Sequence, residues 1–321
     1  VTTSFFCADA ARQSGVDPIS TASNYKIYIV IECPPPWTPN ELASKSVPAN
    51  LRSLGETVGE DYDQYQTCFL LIHNEALKQP DYTRLLIFHH EPGLAQGYHQ
   101  QEFHIQDINE IAPLVQAYLA GEPIHATPVT HSFRDILICT HGSHDRCCAK
   151  YGYPIYREAL KIANDRSLNH VRIWQASHIG GHRFAPTAID LPEGRYYGHL
   201  DASSLASILT RSGDVHALKQ VYRGWGCLPW AVQALERELL FQYGWDWFNH
   251  KVAFKILHQD ENEIFTSVEL TVELPTGDRH QYKAEIVAEQ NKAVYLKGSC
   301  DADEEFPFPQ YVVQKLIRLP S

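Results

Sequence analysis

Several features are missing from this chain, and each absence narrows its chemistry. There is no block of Lys and Arg anywhere, and the formal net charge is −11. Nucleic acid and anionic lipid both need a concentrated positive face, so neither is an expected partner. An acidic surface suits a basic redox partner protein, though it also serves solubility. No segment approaches the roughly 18 apolar residues of a membrane span. The start, VTTSFFCADAARQSG, lacks both the basic segment and the apolar stretch of a signal peptide. The expectation is a soluble, cytoplasmic protein. Cys-x-x-Cys is absent, which disfavours a thioredoxin-like thiol enzyme acting through Cys147 or Cys148. His-Glu-x-x-His is absent as well, and no paired-carboxylate site for glycoside hydrolysis is apparent. Methionine does not occur at all, against ordinary usage, and if any were lost the spacings below would be short by those residues.

What is present is an ordinary globular composition. The 321 residues, 44% apolar and 20% charged, suffice for two or three domains with a sizeable core. Eight cysteines are too sparse for a disulfide-stapled scaffold, so those that cluster point to metal or redox chemistry. The segment IHATPV, between a helical pattern and a strand-like run, reads as a linker. It divides an N-terminal part (1–127) from a middle part (128–213), with a C-terminal part (214–321) following.

The middle part holds ICTHGSHDRCCAKYGYP, three cysteines and two histidines between an apolar run and a helical pattern. RDILIC reads as a buried strand, KYGYPIYREALKIANDRS as a helix starting near Ala149, and HVRIWQAS as a second strand. SHIGGHRFAP is a Gly-rich loop, TAIDL and YYGHL flank a turn, and DASSLASILTRSG is a capped helix. Two strands joined by a helical crossover are expected to be parallel, which gives an α/β, thioredoxin-like order. Loops leaving adjacent parallel strands lie together at one end of the sheet. That brings Cys139, His141, His144, Cys147 and Cys148 close to His178 and His182. The pattern Cys139-x8-Cys148-x29-His178-x3-His182 supplies two thiolates and two imidazoles, donors for Zn²⁺ or a [2Fe–2S] cluster rather than Ca²⁺ or Mg²⁺. Zinc sites usually draw their cysteines from a tighter loop, whereas an eight-residue span suits a larger object.

CTHGSHDRCC followed by SHIGGHRFAP resembles the sucrase/ferredoxin-like family, whose fungal members include the actin-patch-distribution proteins. FCADAARQSGVDPISTAS, VIECPPPW and YRGWGCLPWAVQALE extend the resemblance from about Phe5 to Glu236. It implies a thioredoxin-like ferredoxin domain with a [2Fe–2S] cluster on Cys139, Cys148, His178 and His182. Cys147, beside the second cysteine, leaves ligand exchange open, with the spacing favouring Cys148. His141 and His144 are expected to orient the loop, Asp145 and Arg146 to fix it and supply charge, and Gly180 and Gly181 to let the backbone approach closely.

The N-terminal part reads as a degenerate thioredoxin-like copy without a cluster. YIVIECPPPW echoes DILICTHGSH, and TRLLIFHHEPG echoes VRIWQASHIGG, so only Cys33 and His89 or His90 fall near ligand positions. His89, His90, His99 and His104 form a rival, weaker metal candidate. Cys7, Cys33, Cys68, Cys227 and Cys300 read as small buried hydrophobes. The C-terminal part reads as a small α+β module: a helix, then strands in KVAFKILHQ, IFTSVELTVELP, RHQYKAEIVA and AVYLKGS. The function expected is electron transfer or redox sensing rather than enzymatic catalysis, with an unidentified redox partner. A zinc-stabilised binding module, or a thioredoxin-like thiol oxidoreductase, is the alternative.

Overall fold

The computed structural model describes residues 5–130 and 133–320. In the first part α1 (Cys7–Ser14) precedes β1 (Ile27–Glu32), α2 (Ala49–Glu60), α3 (Tyr62–Tyr65), β2 (Thr67–His73), β3 (Thr83–His89), β4 (His99–Ile105) and α4 (Ile111–Ala120). The middle part runs β5 (Arg134–Cys139), α5 (Arg146–Asp165), β6 (Val171–Ala176), β7 (Ala188–Leu191), β8 (Arg195–Tyr197) and α6 (Ala202–Thr210). The rest comprises β9 (Tyr222–Trp225), α7 (Trp230–Tyr243), β10 (Lys251–Gln259), β11 (Phe265–Glu273), β12 (Arg279–Lys297) and β13 (Glu305–Arg318).

The result is a mixed α/β architecture with two sheets. The larger has nine strands in the order β4-β3-β1-β2-β6-β5-β7-β8-β9, and the smaller runs β10-β11-β12-β13. β1 and β5 are buried at every position because each has neighbours on both sides and a largely apolar sequence, with the charges at Glu32, Arg134 and Asp135 paired. Each is parallel to the strand after its crossover, β2 or β6, and antiparallel to the strand following that, β3 or β7. The two halves therefore share one strand order and meet at the short antiparallel contact of β2 with β6, Ile72 opposite Ala176 and His73 opposite Gln175.

This topology corrects the alignment between the halves. The counterpart of β6 is β2, TCFLLIH, and not the TRLLIFH strand, which corresponds to β7. His89 pairs with Ile27 at the start of β1, so His89 and His90 lie at the opposite end of that strand from Cys33. The nine-stranded sheet also continues past residue 213: β9 pairs with β8. In the smaller sheet, RHQYKAEIVA and AVYLKGS belong to one long strand, β12, interrupted by an irregularity between Glu289 and Val294. β13, a strand that the sequence analysis does not assign, contains Pro307 and Pro309. It is an edge strand, where a missing N–H is tolerated.

A buried ion network spans both halves. Arg172 on β6 donates to Asp135 on β5 (2.7 and 2.9 Å) and to Glu102 on β4 (2.8 Å). Arg84 on β3 donates to Glu32 on β1 (2.8 Å) and lies 3.4 Å from Glu102. Trp174 and Gln100 also donate to Asp135. No helix among the described residues is long and apolar enough to cross a membrane.

Candidate metal centre

The site begins where β5 ends. Cys139 is its last residue, and residues 140–145 lead directly into α5, which starts at Arg146 rather than near Ala149. The earlier start has a local cause. Asp145 accepts the backbone N–H of Cys147 (2.8 Å) as the N-cap, which places both Cys147 and Cys148 in the first helical turn. Gly152 lets this helix sit against the strand end, since a Cβ there would lie 1.9 Å from the Cys139 carbonyl oxygen.

The second half of the site follows β6. Gly180 and Gly181 have φ of 80° and 72°, conformations that glycine adopts at no steric cost. A Cβ on Gly181 would strike the buried Arg223 guanidinium, which donates to the Gly180 carbonyl (3.0 Å). The loop delivers His178 and, in a short 3₁₀ turn, His182.

The donor atoms form two overlapping groups. Those of Cys139, Cys148 and His178 lie within 4.8 Å of one another, as do those of His144, His178 and His182. Cys148 Sγ is 3.9 Å from His178 Nδ1. His144 stacks on His178 at 3.8 Å between ring centroids, and His182 lies 5.1 Å from His178. Of the four sequence-derived ligand positions, Cys139, Cys148 and His178 share one group, and His182 stands beside His178 in the other. Cys147 is directed elsewhere, into a group with Cys7, Cys300 and Asp145. Its neighbours could not be found from spacing, because they lie 140 and 153 residues away in the chain.

Electrostatics separate the two thiols. Burial opposes ionisation of Cys139, but hydrogen bonding with Cys148 and His178 outweighs it and holds this thiol well below the ordinary range. The same contact with Cys139, together with burial, pushes Cys148 upward. The two thiols are coupled, and Cys139 is the one that ionises more readily.

The histidines divide by role. His141 accepts the backbone N–H of His178 at Nδ1 (3.1 Å) and donates from Nε2 to the Thr38 carbonyl (2.8 Å), so both ring nitrogens are used. Burial keeps it below the usual imidazole range. Ser143 donates to the Trp37 carbonyl (2.5 Å), and His144 Nδ1 lies 3.1 Å from the Pro39 carbonyl. The loop is thereby moored to residues 37–39 of the other half. His182 donates from Nε2 to the Gly298 carbonyl, while its buried Nδ1 has no hydrogen-bond partner among the described residues. Burial lowers the His182 pKa, and Asp145, 3.9 Å away, only partly opposes this. Arg146 reaches outward to Asp301 (2.8 Å) and the Cys300 carbonyl (3.2 Å).

The rival histidine set does not converge. His89 contacts Tyr118, and His104 stacks on Tyr82 and bonds Glu102. None of these histidines belongs to a group of three potential ligands among the described residues.

A family model described as Sucrase/ferredoxin-like matches residues 18–224, which include every residue of this centre. Two curated yeast proteins, each called Altered inheritance of mitochondria protein 32, are similar over 97 residues. The one from Meyerozyma guilliermondii is 29% identical and the one from Debaryomyces hansenii 31% identical. Each match covers 28% of this chain and 34% of the relative, so the chain spans about a third of the length of the curated relatives it matches. No solved structure matches.

Proposed function

The chain belongs to the sucrase/ferredoxin-like family, and from that membership we propose that it is a redox protein holding a [2Fe–2S] cluster on Cys139, Cys148, His178 and His182. In this reading the middle part is a thioredoxin-like ferredoxin unit and the N-terminal part a copy without a cluster. The arrangement of the donors carries the proposal. A single tetrahedral zinc would need all four donor atoms mutually close, whereas here Cys139, Cys148 and His178 form one group and His182 joins His178 only in a second group that also holds His144. Donors spread in this way suit a binuclear centre.

The chemistry of the donor set agrees. Two buried thiols and two imidazoles are soft and borderline ligands. His182 has one nitrogen fixed by a backbone carbonyl and the other buried without a partner, the condition of a metal-ligating imidazole whose tautomer is set from behind. His141 uses both nitrogens internally, so it orients the loop instead. A bound cluster would supply one-electron chemistry, and two thiolates in place of four leave the oxidised centre with less negative charge, which favours reduction. The chain's own contribution is a buried environment and an α5 N-terminus directed at the thiols, which favours added negative charge.

Electron transfer or redox sensing with a basic partner protein is the role this supports. Cytoplasmic placement is part of the same proposal, although the two named relatives carry mitochondrial inheritance in their names. Anaerobically purified protein is expected to be red-brown, to bleach on reduction and to contain about two iron and two sulfide per chain. Colourless protein that takes up no iron on reconstitution with iron and sulfide would overturn the reading.

A further inference from the structure

The second cysteine group lies apart from the first and shares no residue with it. Cys147 Sγ is 3.5 Å from Cys7 Sγ and 3.2 Å from Cys300 Sγ, and the third side of the triangle, Cys7 to Cys300, is 3.7 Å. Asp145 Oδ1 lies 3.1 Å from Cys300 Sγ. All four residues are buried. They come from three distant segments: α1, the first turn of α5, and the turn between β12 and β13.

We propose that Cys7, Cys147 and Cys300, with Asp145, form a second metal site that takes Zn²⁺ and is independent of the Cys139, Cys148, His178 and His182 donors. A zinc–sulfur distance of about 2.3 Å at tetrahedral angles puts thiolate sulfurs about 3.7 Å apart. The observed triangle is close to that size, and a carboxylate oxygen stands at its edge as the fourth donor. Three soft thiolates and one oxygen select zinc over calcium or magnesium. Each thiol releases its proton to solvent as its bond to zinc forms, with no change of oxidation state. Three thiolates and a carboxylate around Zn²⁺ carry a net negative charge. The Ala8 N–H pointing at Cys147 Sγ (3.4 Å) and the N-terminus of α5 offset part of it.

The site acts as a clamp. It ties α1 and the β12–β13 turn to the start of α5, and that turn carries Gly298, whose carbonyl holds His182. Asp145 belongs to both neighbourhoods: it caps α5, accepts the Cys300 N–H (2.9 Å) and lies 3.9 Å from His182. The clamp thereby holds one histidine of the first centre in place without touching its metal.

The test compares zinc and iron content by elemental analysis in the full chain and its variants. Wild type is expected to retain about one zinc per chain through mild chelation. Cys7→Ser and Cys300→Ser should lose zinc and keep the far-UV circular dichroism of wild type. Cys139→Ser/Cys148→Ser should lose any iron and keep zinc, so the result stands whether or not the first centre binds a cluster. Cobalt(II) in place of zinc should give the intense visible bands of a tetrahedral thiolate site, and Cys300→His should restore binding with a shifted cobalt spectrum. The proposal is overturned if wild type holds no zinc, if bound zinc survives Cys7→Ser and Cys300→Ser, if zinc is lost only with Cys139 and Cys148, or if peptide mapping finds a Cys147–Cys300 disulfide.

Discussion

Cys147 and Cys148 are adjacent in the chain, yet their thiols belong to different groups. Successive residues on a helix point about 100° apart, so a pair in the first turn of α5 serves two directions at once. Cys148→Ser or Cys139→Ser is therefore expected to abolish iron binding, while Cys147→Ser, which removes no iron ligand and loosens only the support behind His182, leaves iron largely in place; iron and sulfide assays on the three variants decide this. The eight-residue spacing made Cys148 legible as the candidate ligand. The surroundings of Cys147 were not legible, because Cys7 and Cys300 carry no local pattern and become neighbours only through tertiary packing. His199 is another residue-scale feature. Burial, with Arg12 and Arg223 nearby, lowers its pKa from 6.5 to about 4, and both ring nitrogens lack partners among the described residues. The folded state then binds fewer protons than the unfolded chain between those two values. The linked stability, on the order of 3 kcal/mol, is fully present above pH 6.5 and is lost as pH falls toward 4. His199 has φ of 51°, a conformation that asparagine tolerates. His199→Asn should flatten this part of the stability profile, as read by urea unfolding from pH 7 to 4; an unchanged slope would contradict the assignment.

At the scale of elements, α5 positions the thiols and Gly152 sets its distance from β5. Gly152→Ala weighs two effects against each other. Alanine favours a helix interior by about 1 kcal/mol over glycine, but its Cβ would sit 1.9 Å from backbone, where no flexible group can yield. Overpacking of this kind costs about 1–3 kcal/mol, so the clash outweighs the gain. The variant is expected to lower the midpoint of thermal unfolding and to loosen retention of iron, and a stabilised variant would refute the packing argument. Hydrophobic pattern made β5, β6 and the hairpin after them readable, because short apolar runs bounded by turn residues have few alternatives. The start of α5 was misplaced by three residues, since the Asp145 cap acts through a hydrogen bond that the polar loop sequence disguises. β13 has no clean alternation in the sequence, and its prolines are tolerated because it lies at the sheet edge.

The whole molecule depends on the two halves being joined, and the backbone contact between them is short. Arg172 carries much of the burden, with Asp135 on one side and Glu102 of the other half on the other. Replacing it with leucine would leave buried Asp135 without its cation and Glu102 with Arg84 alone, a loss of about 3–5 kcal/mol. Arg172→Leu is expected to unfold at markedly lower urea concentration at neutral pH, and a shift below about 1 kcal/mol would show the network to be dispensable. The internal repeat was visible in the sequence as paired strand patterns. Its register was not, because β2 and β3 are both buried apolar strands and only pairing distinguishes them.

The mooring of residues 140–145 on residues 37–39 gives that repeat a further meaning. Residues 37–39 follow β1 as residues 140–145 follow β5, so they occupy the corresponding position in the half that has no second cysteine partner. Their carbonyls at Trp37, Thr38 and Pro39 now receive Ser143, His141 and His144. The half without a second cysteine thereby shapes the loop of the half that has one. A change in one half that shifts these three carbonyls would therefore be felt at the donors of the other.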